Sequence, residues 1–331
     1  WAGRPMTLGV VIPCYRQERE LPRTLAALEG ALEGREWNGA LVLARRERPD
    51  VALPAISSRW RVLAPPVGMA LTPGGARMLG FAAVPGDWVL FVDADTEVDP
   101  DWVSHALAAA GTEERVAGYG GRTEERVTDG IREWAGDRDL YRVGDRERDV
   151  VLLINPVLYR RAALLEVGGY DPRLGAEEDF ELGLRLTRAG WRLRLLARPA
   201  GRHWNAPRPS FAEVRRRWAV GLTFGPGEAL RLYLGRPGFA TLLARQRLPL
   251  AMLGGWVTGV VTAVIAASGG VDWPLAIWFV GMLVLVAVMT ARKRSPRLAL
   301  HSLLTWSVNG LGVLVGFARP SRAPVGAGGP S

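Results

Sequence analysis

The sequence predicts an α/β domain followed by membrane-crossing helices. Three observations carry this: short apolar runs alternating with helical stripes through the first two-thirds, a pair of carboxylates where one such run ends, and long uncharged stretches after residue 247. Trp88-Val89-Leu90-Phe91-Val92 is five apolar residues in succession, the pattern of a strand buried on both faces in a parallel sheet. It runs directly into Asp93-Ala94-Asp95. Side chains alternate on an extended chain, so the two aspartates are expected on one side, at the strand end where open α/β sheets bind ligands. Two hard oxygen donors there suit Mg²⁺ or Mn²⁺ bound together with a diphosphate. A solvated acidic turn is the plainer alternative.

The elements before this run follow in order. Leu8 to Pro13 (LGVVIP) reads as a buried strand, and Cys14 to Glu18 as a polar loop. Leu21, Leu25 and Leu28 form a helical stripe. Ala40 to Ala44 and Trp60 to Leu63 are further short strands, and a glycine-rich stretch from Gly68 leads into a helix around Ala76 to Ala83. Strand, helix, strand, helix, strand is the order of a doubly wound nucleotide-binding half. Neither G-x-G-x-x-G nor a Walker A sequence follows the first strand, which argues against dinucleotides and P-loop chemistry.

Downstream, Gly168-Gly169-Tyr170-Asp171-Pro172 is turn chemistry. Glu177-Glu178-Asp179 then precedes the amphipathic stretch from Phe180, where acidic residues are expected to cap the helix N-terminus. Three carboxylates exceed what capping needs, and one of them could serve as a general base.

The formal net charge is +9 over 331 residues, carried almost wholly by arginine, with Lys293 the only lysine. That permits phosphorylated substrates, anionic lipid or nucleic acid, but no nucleic-acid signature accompanies it. The single cysteine, Cys14, rules out an intrachain disulfide and any multi-cysteine metal site, and its apolar setting predicts a buried thiol. The start, at Trp1, shows no signal-peptide pattern and reads as a processed boundary.

Leu248 to Ala267 and Pro274 to Thr290 are uncharged and long enough to cross a bilayer, joined by a short loop. Arg245 and Arg247 on one flank, and Arg292 to Arg294 on the other, bring both basic clusters to the same side, which positive-inside logic makes cytoplasmic. Leu298 to Ala318 is a third candidate, weakened by His301, Ser302, Ser307 and Asn309 and by Arg319 and Arg322 beyond it. The expected division is therefore a catalytic domain over 1–206, basic interfacial helices over 207–247, and a transmembrane region of two to three helices over 248–331.

Taken together, the chain resembles the inverting, metal-dependent family 2 glycosyltransferases with the GT-A fold. The resemblance covers residues 8 to about 218. It runs through Val11-Ile12-Pro13-Cys14-Tyr15 with Glu18, Gly74 to Gly80 with Arg77, Asp93-Ala94-Asp95, Tyr159-Arg160-Arg161, Gly168 to Asp171, and Glu178-Asp179 with Leu184-Arg185-Leu186 and Gly190. It implies that Asp95 coordinates Mg²⁺ or Mn²⁺ on the donor diphosphate and that Asp93 contacts ribose or metal. Asp179 would deprotonate the acceptor hydroxyl, with Glu178 beside it. Pro13, Tyr15 and Glu18 would line the nucleoside pocket, and Arg77 would lie near the base or phosphates. His203 matches a segment where some GT-A enzymes place a further metal ligand, although a lone histidine is more often structural. Arg215-Arg216-Arg217-Trp218 resembles the Q-x-x-R-W motif of processive membrane synthases, with Arg217 and Trp218 facing diphosphate and acceptor; Val214 stands at the glutamine position. A basic helix lying on anionic lipid explains the same residues.

The chain departs from the family pattern at two places. Arg45-Arg46-Glu47-Arg48 replaces the usual acidic pair after the second strand, and Arg16 replaces an asparagine. A UDP-sugar donor is favoured, with the base contact altered. The expected reaction is transfer to a lipid or lipid-linked acceptor at the cytoplasmic face of the cell membrane, because confinement raises the effective concentration of both partners. Alternatives are a transferase in polysaccharide synthesis, a non-catalytic scaffold derived from one, and a nucleotidyltransferase. The last normally needs a lysine-containing glycine-rich loop that this chain lacks.

Overall fold

The computed structural model describes residues 6–15, 17–44, 53–66, 69–207 and 211–320. Arg16, Arg45 to Arg48 and Arg322 lie outside the described residues. The chain divides into two compact units near residue 207.

The first unit begins with β1 (Leu8–Cys14), α1 (Leu21–Ala31), β2 (Trp37–Leu43), β3 (Trp60–Leu63), α2 (Pro73–Ala83) and β4 (Trp88–Phe91). The short β5 (Thr96–Val98), α3 (Pro100–Thr112) and the long β6 (Val116–Thr128) follow. β7 (Glu133–Ala135), β8 (Arg148–Val150), β9 (Val157–Arg160), α4 (Arg161–Val167), α5 (Glu178–Arg188) and β10 (Arg192–Asn205) complete it. The sheet runs β3-β2-β1-β4-β9-β6-β10-β5, with β7 paired to β6 and β8 to β10.

The first four strands in that order are mutually parallel, as their unbroken apolar character predicts. Every residue of β1 and β4 is buried. Beyond β4 the sheet turns mixed, because β9 lies antiparallel to both β4 and β6. One core face collects Leu21, Leu25 and Leu28 of α1 with Trp102 and Val103 of α3. The other collects Phe81, Phe91, Tyr159, Tyr170, Leu182 and Leu186. Helix starts are set locally: the Thr72 hydroxyl accepts from the Gly75 N–H and Asp99 from the Trp102 N–H, each followed by proline at the first helical position. Such a cap is worth about 1 kcal/mol, enough to fix where α2 begins.

The second unit holds α6 (Phe211–Ala219), α7 (Gly225–Leu232), α8 (Phe239–Arg245), α9 (Arg247–Ala267), α10 (Trp273–Lys293) and α11 (Pro296–Ala318). α9, α10 and α11 are each long and apolar enough to cross a membrane. α10 exposes Ile277, Val280, Leu283 and Val284 along its length. Two of the polar residues that weaken the third run in the sequence, Ser302 and Ser307, bond within its helix. Ser302 and Ser307 hydroxyls donate to the carbonyls of Leu298 and Leu303, four residues back, at 3.0 and 2.8 Å. Gly310, Gly312 and Gly316 let α11 approach the backbone of Pro249, Thr223 and Phe224, where any Cβ would collide.

Candidate active site

β4 ends at Phe91, and Asp93-Ala94-Asp95 forms a turn closed by a 3.0 Å hydrogen bond from the Thr96 N–H to the Asp93 carbonyl. Strand alternation therefore does not place the two aspartates; the turn does, and each carboxylate has its own partners. The Asp93 N–H donates to Asn155 Oδ1 at 2.8 Å, and Asn155 Nδ2 donates to Asp93 Oδ1 at 3.2 Å. Arg77 Nη2 reaches the same Oδ1 at 3.0 Å. Burial raises the Asp93 pKa; Arg77 pulls it down and Asp95 adds to the rise.

Asp95 is held on one side by Gln17, whose Nε2 donates to Oδ2 at 3.2 Å. Gln17 Oε1 accepts the Tyr15 N–H at 2.5 Å, so one side chain links the end of β1 to the turn. On the other side His203 Nδ1, from β10, lies 3.1 Å from Asp95 Oδ1. That approach is close enough for an ion pair, yet Oδ1 is buried and receives no directed hydrogen bond. The Trp204 N–H donates to the Asp95 carbonyl at 2.9 Å, which pins β10 to the turn. Burial works against a charged His203, but Asp95 and then Asp93 outweigh it and raise its pKa above 6.5.

A carboxylate and an imidazole are donor types that could hold a divalent ion. Two donors on adjacent corners of an octahedral Mg²⁺ sit about 3 Å apart, the separation found between Asp95 Oδ1 and His203 Nδ1. Among the described residues no group of three or more His, Cys, Asp or Glu side chains converges to hold an ion unaided. Asp95 and His203 would therefore leave most positions around an ion to other ligands, diphosphate and water among them.

Across Arg77 lies the acidic start of α5. Glu177, with φ +67°, takes the N-cap position in the left-handed region and makes no side-chain cap. Glu178 and Asp179 stand in the first turn, where negative charge suits the helix dipole, without a side-chain cap from Glu177. Glu178 turns inward to Arg77 Nη1 at 2.5 Å, with only 7% of the residue exposed. Burial raises the Asp179 pKa to about 7, opposed by Arg77 and helped by Glu178 and Asp93, with Tyr170 a smaller lowering influence. Tyr170 is presented by the Gly168-Gly169 turn, where both residues have positive φ and a Cβ on Gly169 would strike the Met78 sulfur.

Asp93, Asp95, His203, Arg77, Glu178 and Asp179 thus belong to one network within the first unit. Pro13 is buried at the end of β1, and the Tyr15 hydroxyl donates to the Leu71 carbonyl at 3.3 Å. Glu18, partly exposed, sits in the turn before α1. Arg217 and Trp218 belong to α6 in the second unit, where Trp218 packs edge-on against Phe224. Cys14 is buried, and burial pushes its thiol up to about 12. A cavity of about 370 Å³ lined by Ala27, Glu97, Glu124 and Arg202 contains none of the candidate residues. Sequence reasoning missed Gln17, Asn155 and Tyr170 as partners. Asn155-Pro156 reads only as a turn signal, and Gln17 lies within a loop that sequence marks only as polar.

Comparison with known proteins identifies the family of the chain. Residues 88–291 match glycosyl transferase family group 2, and residues 9–158 match glycosyl transferase family 2. Uncharacterized glycosyltransferases of Mycobacterium tuberculosis and Mycobacterium bovis are 30% identical over 203 residues, spanning 58% of this chain and 83% of theirs. Among solved structures, a mannosyltransferase from Pyrobaculum calidifontis, in complex with GDP-Man and Mn²⁺, is similar with TM-score 0.58. It is 13% identical, over 95% of this chain and 88% of that one. S. aureus TarS in complex with UDP-GlcNAc aligns with TM-score 0.50 and 16% identity over 69% of this chain, which spans 65% of that structure, just under two thirds. Both likenesses are of fold, and both are to nucleotide-sugar complexes. With a family profile matched across most of its length and relatives named for the same activity, the chain belongs to the family 2 glycosyltransferases.

Proposed function

We propose that this glycosyltransferase moves a sugar from a nucleotide-sugar to a hydroxyl of a lipid or lipid-linked acceptor at the cytoplasmic membrane face, with inversion at the anomeric carbon. The observation that carries the reading is Asp179. Its pKa is raised to about 7 by its surroundings, and its neighbour Glu178 is joined through Arg77 to the turn that bears Asp93 and Asp95. A general base works best with a pKa near the working pH, and an ordinary carboxylate falls well short of that. Asp179 takes the acceptor proton as the hydroxyl attacks, and the donor's bond to its diphosphate breaks on the opposite side.

Asp95 and His203 would hold Mg²⁺ or Mn²⁺, with the remaining positions filled by diphosphate oxygens and water. Bound there, the ion neutralises charge on the departing diphosphate. Gln17 holds Asp95 through Oδ2, which leaves Oδ1 towards His203, and Asn155 holds Asp93 through Oδ1. Pro13, Tyr15 and Glu18 would line the nucleoside side. The nucleotide-sugars in the two similar structures support a UDP- or GDP-linked donor. The apolar helices α9, α10 and α11 support a lipid acceptor, since an enzyme confined to a bilayer meets a co-confined acceptor at high effective concentration. Arg245, Arg247 and Arg292 to Arg294 flank α9 and α10 at one side, which supports the cytoplasmic face.

The test replaces Asp179 with Asn in the full chain and screens UDP- and GDP-sugars against a membrane lipid extract and against soluble sugars. Donor affinity is expected to persist while transfer is lost. Wild-type turnover by Asp179→Asn removes the base, and equal transfer to soluble and lipid acceptors removes the lipid assignment.

A further inference from the structure

Arg77 is among the most deeply placed charges of the first unit, with 5% of the residue exposed. Its guanidinium fork is engaged at both tips. Nη1 pairs with Glu178 and Nη2 with Asp93, at 2.5 and 3.0 Å. The remaining Nε is buried and has no hydrogen-bond partner among the described residues. An arginine that grips a diphosphate offers it paired donors on an open edge, whereas both Nη groups of Arg77 are taken by carboxylates and its Nε is enclosed.

The two carboxylates it holds belong to different elements. Asp93 lies in the turn after β4, and Glu178 is the first residue of α5, immediately before Asp179. The Tyr170 ring closes a third side, 5.4 Å from the guanidinium carbon. The helix carrying Arg77 is itself fixed at its N-terminus. The Thr72 hydroxyl donates to the Pro172 carbonyl at 2.6 Å, and Gly74 lies so near the Asp171 carbonyl that a Cβ would collide with it. Arg77 is thus a short rigid link between the two halves of the site.

We propose that Arg77 is a positioning residue, paired with Glu178, that sets the distance between the Asp93-Ala94-Asp95 turn and Asp179 without touching the donor. The idea rests on Asp179 being the base. Placement matters because a displacement of about 1 Å in a reacting group costs on the order of a hundredfold in rate.

The experiment uses the full chain in lipid nanodiscs, with Arg77→Lys, Glu178→Gln and the double variant. UDP and GDP, each with Mn²⁺, are the binding probes, and turnover is measured with the donor found by screening. Each single variant is expected to keep nucleoside-diphosphate affinity within about threefold while kcat falls on the order of a hundredfold. The double variant should lose no more than either single, because both break one link. A tenfold or greater loss of affinity in Arg77→Lys that Glu178→Gln does not share marks a donor contact and overturns the proposal. Unchanged kcat in both, or loss of the folded state in both, overturns it equally. Asp179→Asn runs in parallel: normal turnover there sinks the base assignment, whereas an inactive Asp179→Asn beside an affinity defect in Arg77→Lys sinks only the positioning role.

Discussion

Asp179 binds its proton more tightly in the folded chain than an ordinary aspartate does, with a pKa raised from 3.8 to about 7, first by burial and then by Glu178 and Asp93. Ionising Asp179 therefore costs stability, and Asp179→Asn removes the cost while keeping the size of the side chain. Below about pH 4 the carboxyl is protonated in both folded and unfolded chains, so wild type and variant differ least. As pH rises from about 4 to about 7 the unfolded chain releases its proton and the folded one does not, so wild type loses ground; above about 7 the gap stays constant. The interval from 3.8 to about 7 corresponds to a ceiling of about 4 kcal/mol, at about 1.4 kcal/mol per pH unit. Asp179 keeps partial solvent access, which lowers the local penalty, and about 2 kcal/mol is expected. For a unit of this size that is a rise in Tm of about 4–8 °C at pH 8.5, shrinking towards zero near pH 4. Thermal unfolding of the detergent-solubilised full chain, followed by tryptophan fluorescence across that range, reads the difference. A gap that does not change with pH, or an Asp179→Asn less stable than wild type at pH 8.5, refutes the reasoning.

Further outcomes follow from the same geometry. His203→Ala should weaken Mn²⁺ binding in the presence of nucleoside diphosphate by about 10–100-fold, read by the free-Mn²⁺ electron paramagnetic resonance signal; unchanged binding removes His203 from the site. Cys14, with its thiol pushed up to about 12 and buried, should resist maleimide at pH 7.5 in the folded chain and react once denaturant is added. Gly74→Ala drives a Cβ into the Asp171 carbonyl, which as backbone has little room to yield, and should cost about 1–3 kcal/mol in denaturant unfolding together with most of the transfer activity.

Much of the parallel half was legible because its physics is local. Val10, Val11 and Ile12 need no partner information to read as a strand buried on both faces, and β1, β2, β3 and β4 form within a few residues of the apolar runs that announce them. The long uncharged runs likewise appear as α9 and α10, and a third helix, α11, forms because hydroxyls within it satisfy themselves against their own backbone. β6 was not legible. Its Gly118, Gly120 and Gly121 weaken any local strand signal, and their reason is tertiary: a Cβ on Gly118 would enter the Tyr159 ring and one on Gly121 would meet the Arg198 carbonyl. The acidic run at Glu177 to Asp179 suggested capping, since charge near a helix start is common. That Glu178 points inward depends on Arg77, a hundred and one residues earlier in the chain.

The partner of Asp93 illustrates why a site can be half visible in a sequence. β9 inserts antiparallel beside β4, and Phe91 pairs with Val157. Antiparallel register conserves the sum of paired positions, so two residues past Phe91 meets two residues before Val157. Asp93 therefore faces Asn155, and the two exchange backbone-to-side-chain and side-chain hydrogen bonds at 2.8 and 3.2 Å. A slip of one residue in this pairing would turn Tyr159 out of its aromatic contacts with Phe91 and Tyr170 and carry Asn155 away from Asp93. The core that buries Tyr159 thus selects the register that orients Asp93. That dependence lies in the pairing of two strands more than sixty residues apart, which neither strand encodes alone.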